Sequence, residues 1–220
     1  PWPVRWAKRL LVAWLVLFLF IGGGLLLFGW TQFNRIDKAH VGAALSPASG
    51  DGTNFLIVGT DSHTCTYGAL GAASCGIGFS EMAYVLATGR LWFRIPETMR
   101  FLLSGALAPP LSSKDVMLKI AGDHSAEMAQ YKSLEFSGEG AREMSVEARM
   151  TMSNMAVELG AKFCFFETDD KAAAWLVEKC GGGCEPLVFD QEAPVSSTYG
   201  MDLSGLEPQV SLPHTVDNVS

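Results

Sequence analysis

An α/β domain preceded by one transmembrane helix is the fold class predicted for this chain of 220 residues. Two observations carry that reading. A charge-free apolar run, Leu10–Trp30, comes first, and from about Gly59 onward short apolar runs of strand length alternate with segments of helical spacing. The second pattern is that of parallel strands joined by helices packed on both faces of a sheet. With 49% hydrophobic residues, the chain can fill one core even with the N-terminal run set aside.

Residues 1–9 form a basic tail containing Arg5, Lys8 and Arg9. At ~1.5 Å per residue, a helix over Leu10–Trp30 spans the ~30 Å hydrocarbon core of a bilayer. Arg35 and Lys38 follow with Asp37 between them, so the charge balance favours a cytoplasmic tail and an outward-facing body. Trp2, Trp6 and Trp30 lie near the ends of the run, where indole rings favour the headgroup region. A cleaved signal peptide is the competing reading, although its apolar core usually runs to only ~7–15 residues. Residues 31–53, rich in Ala, Gly, Ser and Asp, read as a linker, and 54–220 as the folded domain.

Within that domain, Asn54–Gly59 is an apolar run ending in Gly and predicts a buried strand. Gly78–Thr88 predicts a helix with Met82, Val85 and Leu86 on one face. Trp92–Ile95 and Met99–Leu103 are strand candidates separated by a bend at Pro96. Ser112 or Ser113 caps a helix that spaces Val116, Met117 and Ile120 along one side. Tyr131–Phe136 alternates like a half-buried strand, and Ser145 opens a helix that runs to Leu159 and stops at Gly160. Lys162–Phe166 is a short aromatic strand, and Asp169–Lys179 a helix broken by Gly181, Gly182 and Gly183.

A net charge of −7, without clustered Lys and Arg, excludes nucleic acid as the expected partner. The five cysteines, Cys65, Cys75, Cys164, Cys180 and Cys184, lack the paired spacing of a zinc ribbon or a disulfide scaffold and read as reduced thiols. Cys180 and Cys184 are the one close pair, compatible with a metal or with a loop bearing two free thiols.

The candidate chemistry lies at turns. Asp61, Ser62 and His63 directly follow the strand ending at Gly59, at a carboxyl end of the sheet, where α/β folds form ligand crevices. A carboxylate, a hydroxyl and an imidazole side by side can orient a proton donor and hold a substrate carboxylate. Alone, Asp-Ser before a Gly-rich stretch also describes an ordinary turn. Asn154 and Glu158, four residues apart in the Met-rich segment Met152–Gly160, share one face of a helix and need partners or water.

The run Thr60-Asp61-Ser62-His63-Thr64, with the small residues from Gly68 to Gly78 and the segment Ala83–Gly89, resembles the active-site signature of the aconitase superfamily. It is most similar to large subunits of the 3-isopropylmalate dehydratase and homoaconitase group. Asn154-Met155 followed by Glu158 resembles that superfamily's Asn-Met-x-x-Glu helix. The resemblance implies a partial aconitase-like three-layer α/β/α domain over residues 54–220. It also implies dehydration and rehydration of a small hydroxy-polycarboxylic acid. By that resemblance Asp61 and His63 act around the substrate hydroxyl and Ser62 holds a substrate carboxylate. Asn154 stands near a [4Fe-4S] cluster, and Glu158 orients His63. Lys114-Asp115-Val116, Thr151 and Asp202–Pro208 match family segments and are expected to be structural, while His124 is expected at the surface.

The family's cluster is held by three thiolates from motifs beyond the segments matched here, so it is expected in a complete family enzyme and not on this chain alone. A small-subunit partner is expected on the same ground. Residues 1 to about 62 resemble a different family, the LytR-CpsA-Psr envelope proteins, which transfer glycopolymers from a polyprenyl carrier. In that family an Arg follows the Asp-Ser pair, where this chain has His63. The two resemblances meet at Gly59-Thr60-Asp61-Ser62, which implies a chimeric chain. Localisation follows: single-pass membrane through residues 10–30, or cytoplasmic for the body if the halves are of separate origin. A glycopolymer-transferase fragment and a non-catalytic anchored module are the alternative functions.

Overall fold

The computed structural model describes residues 56–180 and 188–220. The basic tail, the transmembrane run Leu10–Trp30, the linker 31–53, most of the LytR-CpsA-Psr-like segment and the break at Gly181–Gly183 lie outside the described residues, as does Cys184. Among the described residues, no helix is long and apolar enough to cross a membrane.

The chain folds as parallel α/β structure with two sheets. Strands β1 (Leu56–Gly59) and β2 (Ala73–Gly76) pair in parallel, joined by a 3-10 helix, Ser62–Leu70. The larger sheet contains β3 (Thr98–Ser104), β4 (Ser133–Ser137), β5 (Phe163–Phe166) and β6 (Ser197–Asp202), in the order β5-β4-β3-β6, all parallel. Helices α1 (Phe79–Thr88), α2 (Ser113–His124), α3 (Glu139–Glu143), α4 (Val146–Met155) and α5 (Asp170–Cys180) connect them.

The larger sheet is organised by its register. Tyr199, Phe101, Phe136 and Phe166 occupy successive register positions across β6, β3, β4 and β5. Their rings stack, with centroids 5.0 to 5.3 Å apart. Because side chains alternate across a strand, Met99, Leu103, Leu134 and Cys164 project to the same face as this aromatic ladder. They meet Val116, Met117 and Ile120 of α2 and Met152 of α4 in one dry core. Fully burying a side chain of this size contributes ~1.5–3 kcal/mol, so this face supplies most of the apolar stabilisation.

The opposite face differs from the expected helix cover. At β5 it is closed by a second cluster, in which Phe163 meets Cys75, Ile77 and Val85 from the smaller sheet and α1. At β3 it instead carries the buried ion pair Arg100–Glu135, with Nε and Oε2 2.9 Å apart, and the half-exposed Leu102. The Arg100 guanidinium also donates to the carbonyl of Asp190, so a loop rather than a helix crosses there.

Local signals explain the elements. Ser112 and Asp115 form a capping box at the start of α2, and the Ser145 hydroxyl accepts from the Ala148 N–H at the start of α4. β1 begins at Leu56 within the described residues and is half-exposed rather than buried, because among those residues only β2 pairs with it. Trp92–Ile95 forms no strand, and Trp92 and Ile95 are largely exposed. The strands β2 and β6 and the short helix α3 were not expected. Asp115 also accepts from the N–H of Gln209, and Asp202 caps its own turn through Ser204, which fits their expected structural roles. His124 is exposed, its ring 4.7 Å from that of Tyr199.

Candidate active site

The residues Asp61, Ser62 and His63 form the first turn after β1. Asp61 is the N-cap of the 3-10 helix, its Oδ1 accepting from the His63 N–H at 2.6 Å. Its carbonyl accepts from both the N–H and the hydroxyl of Thr64, at 3.2 and 2.7 Å. Thr64, read from the sequence as part of a signature, is thus the residue that folds the turn. Gly76 of β2 lies directly beneath: a Cβ there would stand 2.8 Å from the Asp61 carbonyl oxygen and 2.9 Å from the Ser62 Cα. Only glycine allows so close an approach of strand to turn.

That turn places one imidazole among three polar groups. His63 Nδ1 is 3.0 Å from the Ser62 hydroxyl and 3.5 Å from Asp61 Oδ1. On the other side, His63 Nε2 is 3.5 Å from Glu158 Oε1. Glu158 is distant in sequence and arrives from the segment after α4. The side chains are accessible, with His63 42% and Glu158 50% exposed. Contacts of 3.5 Å are long for hydrogen bonds, a common condition of catalytic groups before a ligand tightens them.

The segment bearing Asn154 and Glu158 is not one continuous α-helix. α4 ends at Met155, and Ala156–Leu159 winds as a 3-10 helix, stopped at Gly160 in the left-handed conformation. The tighter winding carries Glu158 further round the axis than the fourth residue of an α-helix would go. Asn154 therefore does not share Glu158's contact with His63. Its amide Nδ2 donates instead to the Thr66 hydroxyl at 3.0 Å. Four of the five expected site residues thus meet directly at the imidazole, and the fifth reaches the same turn through Thr66. Thr66 and Gly76 were not anticipated; a hydroxyl three residues past His63 was the one available signal for the first.

Ser62 also borders a cleft of about 370 Å³ together with Thr60, Gly76, Glu81 and Lys162. His63 and Glu158 do not line that cleft. Lys162 donates to the carbonyl of Gly76 at 3.2 Å and so braces the strand under the turn.

The thiols are a separate matter. Cys65, Cys75 and Cys164 are free and buried. Burial pushes the Cys65 thiol up to about 11 against a hydrogen bond from the Val157 backbone, and pushes Cys164 up as well. At Cys75 burial likewise prevails over the nearby Lys162 cation. Such thiols are poor nucleophiles. Among the described residues, no group of three or more His, Cys, Asp and Glu side chains is placed to hold a metal ion.

A family model described as the aconitase family (aconitate hydratase) matches residues 51–220, more than half of the sequence. The chain belongs to the aconitase family. Among similar curated proteins is a probable 3-isopropylmalate dehydratase large subunit of Methanothermobacter thermautotrophicus. It is 49% identical over 164 residues, covering 74% of this chain and 39% of that relative. The 3-isopropylmalate dehydratase large subunit of Acetivibrio thermocellus is 40% identical over 198 residues, covering 87% of this chain and 47% of the relative. That of Clostridium kluyveri is 44% identical over 188 residues, with 85% and 45% covered. The chain therefore spans less than half the length of these aconitase-family relatives. Enzymes of the family carry a [4Fe-4S] cluster held by thiolates. Cys65 and Cys75 border the same cleft as Ser62, but among the described residues no three side chains are placed together as its ligands.

Proposed function

We propose that this chain is part of a hydro-lyase large subunit of the 3-isopropylmalate dehydratase type, which isomerises a small hydroxy-polycarboxylic acid by dehydration and rehydration. The observation that carries the reading is His63 held between Asp61 and Glu158, beside the hydroxyl of Ser62. Asp61 and His63 handle the proton at the substrate hydroxyl, Glu158 orients His63, and Ser62 receives a substrate carboxylate. A carboxylate on each side of an imidazole keeps the ring in place, which is what a group that hands a proton to and from a ligand requires. Asn154 stands at the edge of this site, on the side assigned to the cluster.

Since among the described residues no group of side chains is placed to hold a cluster, the chain by itself is proposed to be inactive. In a complete enzyme the iron–sulfur group and a small-subunit partner complete the site. The domain division is a tail (1–9), an anchor (10–30), a linker (31–53) and the body (54–220). The anchor and the double origin of the chain rest on residues 1–62, and the double origin is tested by single long DNA reads across the codons for residues 40–90. Reads that separate into two genes at Asp61-Ser62 make the join an artefact of two unrelated sequences, and continuous reads make it a real fusion.

The activity is tested by grafting residues 51–220 into the matching region of the Methanothermobacter relative, with cluster and small subunit supplied. Turnover of isopropylmalate is expected, and its loss is expected in the graft carrying His63→Ala or Glu158→Gln. A fully loaded graft without turnover, or one indifferent to both substitutions, defeats the proposal.

A further inference from the structure

Thr66 stands between two residues of the site, and its chemistry allows only one arrangement of protons. Its hydroxyl oxygen is 2.7 Å from the carbonyl oxygen of His63 and 3.0 Å from Asn154 Nδ2. A carbonyl can only accept, and a hydroxyl has a single proton to give. The Thr66 proton is therefore committed to His63, and toward Asn154 the same oxygen can only accept. The partner atom on Asn154 must be the NH₂ group, which settles an orientation that amide geometry alone leaves open.

We propose that Thr66 is a positioning residue that couples the His63 turn to the Asn154 helix and fixes the orientation of the Asn154 amide. The inference rests on the site assignment above, and it adds a residue to which that assignment gives no part. Two further contacts run alongside it. The Cys65 thiol lies 3.7 Å from the Asn154 carbonyl, and Glu158, just beyond Asn154 in the chain, reaches His63 Nε2. Thr66 is the member of this set that touches both sides through well-formed hydrogen bonds, and it is only half-buried, so its loss leaves the core intact. With its proton on the His63 carbonyl, the backbone of His63 is held where the imidazole lies between Asp61 and Glu158. With the Thr66 oxygen accepting from the amide N–H, the Asn154 Oδ1 is held on the side of the amide away from Thr66.

The test uses the full chain, isotope-labelled, with no substrate or cluster, so its result stands whether or not the hydro-lyase reading survives. Thr66→Val keeps the shape and removes both hydrogen bonds, while Thr66→Ser keeps both. In Thr66→Val the Asn154 side-chain amide protons are expected to shift and exchange faster with solvent. The ring nitrogen resonances of His63, which report its tautomer, are expected to move with them. Thr66→Ser is expected to restore both signals, and Asn154→Ala to move the His63 signals in the same direction as Thr66→Val. If Thr66→Val does not fold, Thr66→Ala against Thr66→Ser makes the same comparison. Unchanged Asn154 and His63 signals in the folded Val or Ala variant overturn the proposal, as does a Ser variant that behaves like Val.

Discussion

The turn at Asp61–Thr66 and the aromatic sheet both contain paired charges, yet the two regions use them in opposite ways. In the sheet region Arg149 is 1% exposed and grips Asp169 with two bonds of 2.9 and 2.6 Å, while also donating to the carbonyls of Arg142 and Glu167. At the turn, His63, Asp61 and Glu158 are exposed and stand 3.5 Å apart. A buried pair in low dielectric is held by close contacts, so its geometry is tight, even though the Arg149 Nε itself finds no partner among the described residues. The proton exchange with a ligand proposed for the turn needs room and access, which the looser geometry there supplies. Stability therefore resides under the sheet, and the proposed chemistry is placed on the turn.

Breaking the buried side tests this most severely. Arg149→Met removes one partner of a desolvated pair and is expected to cost about 3–5 kcal/mol. That loss should lower the melting temperature by on the order of 10 °C. A drop of only a degree or two would mean that Asp169 finds water and that the pair is not structural.

The joint between the two regions comes next. Gly68, in the 3-10 helix that follows the site turn, is packed so closely on the carbonyl of Cys164 in β5 that a Cβ would overlap it. Gly68→Ala is expected to cost about 1–3 kcal/mol by overpacking. It should also displace His63 from Glu158, seen as altered His63 resonances. Wild-type stability and resonances together would show that the helix does not bear on the sheet.

Acid sharpens the comparison further. At Asp169 partial burial works to raise the carboxyl, but the Arg149 bonds and the Ala172 N–H outweigh it and hold it below the ordinary carboxylate value. A folded-state value below the unfolded one means that the unfolded chain binds more protons in the window between them. The stabilisation is thus complete above the usual Asp value of about 4 and is lost as pH falls through the lower, folded value. Melting temperature against pH should fall less steeply below pH ~4 in Asp169→Asn than in the parent, from a lower neutral plateau. Parallel curves would remove Asp169 from the acid limb.

The smallest expected effect lies on the turn. His63→Ala, an exposed substitution, should change stability by no more than about 0.5 kcal/mol while abolishing turnover in the grafted enzyme. A loss of several kcal/mol would make His63 a structural residue and erase the division between the regions.

Much of this was legible in the chain. β3, α2, β4, β5 and α5 are found within a residue or two of where apolar spacing and caps put them, because each signal is local. The juxtaposition of Asp61, Ser62 and His63 after a strand is also local, since three consecutive residues cannot be far apart. The errors have a common cause. β2 is Ala-Ser-Cys-Gly, too small and too weakly patterned to announce a strand, and it is one because β1 and the 3-10 helix pack around it. β6 has no apolar run, and its pairing with β3 closes an edge that the sequence does not mark. Trp92–Ile95 has the composition of a strand and remains irregular.

What the sequence by itself determined is the α/β class, the family and the turn that carries the imidazole, because these depend on periodicity and on residues adjacent in the chain. What only the tertiary structure decided is which distant groups face that imidazole. Glu158 reaches His63, and Asn154 turns to Thr66 instead, because the helix bearing both tightens after Met155. That change of winding is set by packing at Ala156 and Leu159 against the core and by the stop at Gly160, long-range conditions to which a four-residue spacing is blind.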